Sequence, residues 1–304
     1  MIRCFFAVFL MVTLLSLAVD TRAEGRSARQ IGQWRLWHFT DGAHIGNASL
    51  LLGASDALIQ KYLPQGGFPT AFQYFLVQGH GHTVLFDTGL GTNMLPQLRE
   101  VGVKQEDIDA VFITHMHSDH IGGLLAADQA VFPHATIYVA EKEKAYWSDP
   151  KMMAEAGATK KDGFLLAQKV LAVYGHRVKT FVPGTLETGG TPILPGIAGI
   201  AAIAAYGHTP GHSMFLLKDG TDKLLFWGDI THAMAIQMPA PKVALVYDVN
   251  GQEAIATRLK VLHYVSNHKL PVAGMHIPGP AIGLVSAASG QGAAYIFTPD
   301  GGGQ

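Results

Sequence analysis

The stretch Thr114-His115-Met116-His117-Ser118-Asp119-His120 decides how this chain is read. It closes a short apolar run, residues 110–114, whose β-forming side chains predict a buried strand, and it is followed by Gly122-Gly123. On an extended segment residues two apart project the same way, so His115 and His117 can reach one metal ion as a pair. Asp119 and His120 come where the chain turns and can face a neighbouring point. Neutral imidazole and carboxylate are good ligands for zinc and similar divalent ions. A lone His-x-His carries little information. Three histidines and an aspartate within six residues, at a strand end beside glycines, mark a metal site.

Four ligands this close together cannot complete two metal sites, so others must come from far along the chain. Three candidates sit in or beside turns marked by Gly or Pro: His212 in Gly207-His208-Thr209-Pro210-Gly211-His212, Asp229 in Trp227-Gly228-Asp229, and His276 in Gly274-Met275-His276-Ile277-Pro278-Gly279.

Working outward, strand-like and helix-like patches alternate. In residues 34–39 Trp34 and Leu36 would share one strand face, Trp37 and Phe39 the other. Residues 72–77 and 82–86 predict a hairpin across Gly79-His80-Gly81, the second strand ending in Asp87-Thr88-Gly89. Further strands are expected at 135–139, 200–205, 213–217 and 223–227. Helices are expected at 93–101, 142–147, 164–174 and 253–267, the last with apolar residues near helical spacing. There is no short repeat, no Ser/Pro-rich linker, and Gly301–Gly303 reads as a frayed tail. The pattern predicts one layered α/β domain over residues 24–304.

The run His115-x-His117-x-Asp119-His120, followed by His212, Asp229 and His276, resembles the metallo-β-lactamase superfamily from about residue 33 to residue 299. The local wording around His115–His117 with Gly122-Gly123-Leu124, at Gly207–His212 and at Leu225–Asp229 resembles the branch of methyl parathion hydrolase and N-acyl homoserine lactonases. The resemblance implies a four-layer αβ/βα sandwich. It implies one metal held by His115, His117 and His212, a second held by Asp119, His120 and His276, and Asp229 bridging both. Within Gly207–His212 it implies that His208 bonds within the loop. Asp87 matches the family's early aspartate, which orders the ligand loop without being a ligand. True β-lactamases of this fold usually carry cysteine or serine where this chain has Asp229.

Two ions sharing a water lower its pKa and make hydroxide available at neutral pH. The expected reaction is attack of that bridging hydroxide on a lactone or ester, with a phosphotriester also open; a β-lactam, a thioester or an iron-dependent oxygen reaction are the alternatives. Zinc is the expected metal, with iron, manganese or cobalt suited to the same ligands. His232, three residues after Asp229, stands where some lactonases of this fold carry a substrate-contacting tyrosine. It completes the expected catalytic set with Asp119 and Asp229, as a proton donor or a contact to the substrate carbonyl; a solvent-facing loop histidine is the bland alternative. Trp147 and Phe164 occupy positions resembling the branch's aromatic leaving-group pocket, and Met94 is a weaker candidate for its rim.

Composition narrows the partners. The chain of 304 residues is 48% hydrophobic and 15% charged, with 22 basic against 23 acidic residues and a formal net charge of -1. That is enough apolar material for a large core. It offers no basic stripe for nucleic acid, and a small ester or lactone is the expected partner; a homodimer is left open. Residues 1–23 have a positive start at Arg3, an apolar run and small residues around Ala23, the pattern of a secretory signal peptide. Cleavage near Ala23 predicts a periplasmic or secreted protein with no stable membrane insertion; an uncleaved anchor is the alternative, because the run nears spanning length. Cys4, the single cysteine, lies in that segment, so the mature chain would have no thiolate ligand or nucleophile.

Overall fold

Two seven-stranded sheets organise the chain, and each takes its strands in sequence order. The computed structural model describes residues 28–193, 199–289 and 294–300; the segment expected to be a signal peptide, residues 1–23 with Cys4, and the Gly-rich ending lie outside these residues. The first sheet runs through Arg29–Ile31, Trp34–Asn47, Gly67–Gly79, His82–Phe86, Ala110–Phe112, Thr136–Ala140 and Val178–Phe181. Its early strands pair antiparallel. From His82–Phe86 onward the pairing is parallel, with helices in all three crossovers. The second sheet runs through Thr191–Pro192, Ile200–Ala204, Ser213–Asp219, Asp222–Phe226, Val272–Ala273, Ile282–Ala287 and Tyr295–Pro299.

Period-two alternation explains why the sheets stack. Phe75, Val77, Val84, Phe86, Ala110 and Phe112 point from the first sheet into a shared apolar layer, where they meet Phe215, Leu217, Leu224 and Phe226 of the second. The residues between them, Tyr74, Leu76, Leu85 and Val111, point the opposite way, towards a second layer that also holds Trp147, Phe164 and Tyr174 from the outer helices. Leu225, Val272 and Val285 face outward from the second sheet onto Val261, Leu262 and Val265 of the helix Gly251–His268. The order is helix, sheet, sheet, helix, as the resemblance implied. Trp34 and Leu36 do share one face, and Trp37 and Phe39 the other. The centre of the seam is aromatic: Phe86 stacks on Phe226 at 3.9 Å between centroids, with Phe75 and Phe215 around them.

The predicted helices appear as Met94–Glu100, Glu141–Ser148, Lys161–Tyr174 and Gly251–His268. The short strands Arg29–Ile31, Val178–Phe181 and Val272–Ala273 carry too few residues to show a period in sequence, and the last hairpin, Ile282–Ala287 with Tyr295–Pro299, is not among the expected strands. Among the described residues no helix is long and apolar enough to cross a membrane.

The parallel strands of the first sheet and their counterparts in the second end on the same side of the sandwich, and the loops leaving these ends hold the histidines and aspartates. The two halves are joined there by main-chain bonds: Ser213 N–H to Thr114 O at 2.9 Å and Gln73 N–H to Met275 O at 2.8 Å. Because Phe86 is fully buried at the seam, Phe86→Ala should cost about 3–5 kcal/mol of unfolding free energy, measurable by urea denaturation; an exposed control, Leu165→Ala, should change it by less than about 0.5 kcal/mol.

Candidate metal centre and cleft

His115 and His117 extend from the strand Ala110–Phe112, and the helical turn Ser118–Ile121 carries Asp119 and His120. This turn is why alternation stops after His117 and the next two ligand types face elsewhere. His115 Nε2 and His208 Nε2 each lie 2.9 Å from His117 Nδ1. Three ring nitrogens so close to one another share one point in space, and Asp229 completes that group. A second group is formed by Asp119, His120 and His276, with Asp119 Oδ2 3.6 Å from His120 Nε2 and 3.4 Å from His276 Nε2.

Asp229 stands between the groups. Its Oδ2 is 3.2 Å from His208 Nε2 and 3.1 Å from His276 Nε2, and its Oδ1 is 3.3 Å from His120 Nε2. His120 Nε2 and Asp229 Oδ1 are both buried without a hydrogen-bond partner. Unpaired buried polar atoms are costly, and the donors here are the nitrogen and oxygen types that divalent ions take. The residues therefore fit two metal ions.

One expected ligand is corrected. His212 does not join either group. Its Nδ1 donates to Ala205 O at 2.8 Å, and its Nε2 accepts the Asp229 N–H at 3.0 Å. Both nitrogens are thus used on backbone, and the ring lies under Gly228, where a Cβ would come within 2.3 Å of Nε2. His208 takes the position expected for His212. The residues Thr209-Pro210-Gly211 turn the loop between two similar histidines, and spacing alone did not say which one faces the cleft.

The outer ring nitrogens are held by the fold, which fixes tautomer and orientation. Asp87 Oδ2 takes the His120 Nδ1–H at 2.7 Å, while its Oδ1 and Oδ2 also accept from the Thr114 N–H and hydroxyl. His276 Nδ1 donates to Ala71 O and His208 Nδ1 to Asp248 Oδ1, each at 2.8 Å. Burial raises the Asp229 pKa, but His120, His276, His115 and His232 outweigh it and hold the carboxyl well below its ordinary range. Burial lowers His208, yet Asp229 and Asp248 bring it up to about 9. His120 and His276 are likewise raised against burial by Asp229 and Asp119. Any ion bound here displaces those protons.

His232 lies in the centre. Its Nε2–H donates to Asp229 Oδ2 at 2.8 Å and its ring stacks on His276 at 4.5 Å. The groups open into a cleft of about 720 Å³ lined by Trp147, His232, Phe68, Phe72, Leu90, Leu166, Val246 and Tyr247 among others.

Two expected pocket residues belong to the core instead. Phe164 is fully buried behind Trp147, 4.6 Å between ring centroids, and shares the inward helix face with Ala167, Val170 and Tyr174. Met94 is 1% exposed and packs under Gly123; Leu90, 41% exposed, holds the rim in its place. Two further residues carry no sequence signal: Asp248, whose surroundings are featureless, and Glu143, one of four consecutive charged residues, Glu141–Lys144, in a polar helix.

The profile of the metallo-beta-lactamase superfamily matches residues 69–274. The chain belongs to that superfamily. It is similar to the hydrolase AbOPH of the beta lactamase superfamily, with 28% identity and a TM-score of 0.78 over 90% of this chain and 97% of that one. Its fold also matches AidC, a dizinc quorum-quenching lactonase, with a TM-score of 0.81 at 22% identity, covering 93% of this chain and all of the other. In sequence it matches the ribonuclease Z of Thermobifida fusca (strain YX) at 36% identity over 104 residues, which is 32% of this chain and 30% of that protein.

His208→Ala should lower metal stoichiometry from two equivalents towards one, read by elemental analysis after gel filtration. His212→Ala should retain both ions and lose about 1–3 kcal/mol of stability, the cost of two buried backbone groups left unpaired. Equal metal loss in both variants would argue against the assignment of His208.

Proposed function

We propose that this superfamily member is a two-metal hydrolase of an uncharged lactone or carboxylic ester, with a phosphotriester as the related substrate class. The observation that supports it most is Asp229, whose carboxylate reaches members of both donor groups at the floor of an apolar cleft, Oδ2 lying near His208 and His276 and Oδ1 near His120. On this reading His115, His117 and His208 would hold one ion and Asp119, His120 and His276 the other, with Asp229 available to both. Zinc suits this ligand set. When bound, two such ions lower the pKa of a shared water towards neutrality and polarise the oxygen of the group under attack.

The remaining chemistry falls to this chain's own side chains. Leu50, Phe68, Phe72, Leu90, Leu166 and Val246 offer an apolar wall to an acyl or aryl group. Among the described residues lining the cleft, Lys160 is the only lysine or arginine, and Asp162 shares its rim. Apart from any bound ions, an anionic substrate would find Lys160 as the single lysine or arginine among these lining residues and no arginine fork, which favours a neutral one. Trp147 closes one side, its ring edge-on to His117 at 5.5 Å. His232, held on Asp229 and 5% exposed, is placed to contact the substrate's reacting group. An aspartate at position 229, rather than cysteine or serine, supports ester or lactone over β-lactam chemistry.

A panel assay on metal-loaded protein tests the reading: acyl-homoserine lactones, aryl esters, phosphotriesters, nitrocefin and a glutathione thioester. A lactone or aryl ester should exceed nitrocefin and the thioester by about 100-fold in kcat/KM. Chelation should abolish all turnover, and one added metal should restore it. Activity surviving in an Asp229→Ala, His115→Ala double variant would sink the proposal. His232→Ala should lower kcat about 10-fold or more and alter the pH–rate profile; an unchanged profile and rate would remove His232 from the mechanism.

A further inference from the structure

Glu143 is fully buried, and among the described residues no lysine, arginine or histidine lies within ion-pair distance of it. A buried carboxyl without a cation must be satisfied by hydrogen bonds. Four donors meet it, two at each oxygen. Oε1 accepts the Met116 N–H at 2.9 Å and the Trp147 Nε1–H at 2.6 Å. Oε2 accepts the Thr209 hydroxyl at 2.6 Å and the Gly211 N–H at 3.0 Å.

These donors come from two loops and from Glu143's own helix. Met116 lies between His115 and His117. Thr209 directly follows His208, and Gly211 completes that turn. Trp147 forms a wall of the cleft, one helical turn from Glu143 itself. The approach is close enough to dictate sequence: a Cβ on Gly211 would fall 2.2 Å from the Glu143 backbone nitrogen. The glycine is therefore required by the glutamate's helix and not by a positive φ. Burial pushes the Glu143 carboxyl up, and its four hydrogen bonds oppose that push.

We propose that Glu143 is the positioning residue that holds the His115–His117 loop and the His208 loop at ligand spacing and ties both to the Trp147 wall. The inference rests on the two-metal reading above. It adds to it that the first metal group and the shape of the cleft are set by one side chain that touches neither ion nor substrate.

Glu143→Gln tests this with little change in volume. In one orientation the amide NH₂ faces the Met116 and Trp147 N–H groups. In the other it faces the Gly211 N–H. Either way a donor meets a donor. Zinc is titrated into the metal-free full chain against a chromophoric chelator. The wild type should bind two equivalents; if it does not, the two-metal reading itself fails. In Glu143→Gln one equivalent should weaken about 10- to 100-fold while the other keeps its wild-type affinity. The Trp147 indole N–H resonance, identified among the four tryptophans by its absence in Trp147→Phe, should move upfield as its charged acceptor is lost. Wild-type affinity for both equivalents, or equal weakening of both, would overturn the positioning role and leave the two-metal reading standing. If circular dichroism shows that Glu143→Gln does not fold, Thr209→Val, which deletes one donor only, is read in the same way: selective loss at one equivalent supports the role and wild-type binding overturns it.

Discussion

A single buried carboxylate sets the terms for the rest of this molecule. Asp229 is 3% exposed, and a charge so far from water must be compensated where it stands. His115, His120, His208, His232 and His276 approach it from loops of both sheets. The Asp229 backbone is anchored where its N–H is accepted by His212 Nε2, and Gly228 before it adopts φ 59° to bring the backbone over that ring. His212 thus acts on the site through the main chain. Its full burial reflects a structural demand as strict as any ligand's.

From that centre order passes outward through paired atoms. Asp87 holds His120 and is itself in the left-handed region at φ 56°, a strained conformation that its bonds to Thr114 and His120 maintain. Asp248 holds His208 and is placed by a loop knitted from beneath. Buried Arg258 donates to the carbonyls of Ile230, Pro241 and Val243. Gln237 accepts the N–H groups of His232 and Ala233 and donates to Val243 O. A guanidinium at the base of this loop and a carboxyl beside the histidine loops do comparable work with opposite charge. In each case several backbone groups converge on one fully buried side chain.

The aromatic seam and the main strands were legible because a buried two-sided strand has a strong period, as in residues 72–77 and 82–86. The clustered ligands His115, His117, Asp119 and His120 were legible for a related reason: local spacing fixes local direction. What was not legible depended on how a loop turns. His208 and His212 have nearly the same neighbours in sequence, and only the path over Glu143 and Gly228 decides which ring sees the cleft. Phe164 and Met94 looked like pocket residues because an aromatic or a methionine reads alike on either side of a wall. Asp248 had no signal at all, since its partner lies 40 residues away.

The sequence order of the strands has a consequence for how this centre can come into being. Residues 29–181 make one complete sheet and residues 191–299 the other. The first half contributes His115, His117, Asp119 and His120; the second contributes His208, Asp229 and His276. Neither half alone encloses either of these two donor groups, because each draws on both; a third cluster, Asp229, His232 and His276, lies wholly in the second half. A metal ion captured here therefore spans the joint between two topologically separate halves. Such an ion would bind tightly only after they have docked, and it would then oppose their separation. The ion that would serve chemistry would also be the last rivet of the tertiary structure.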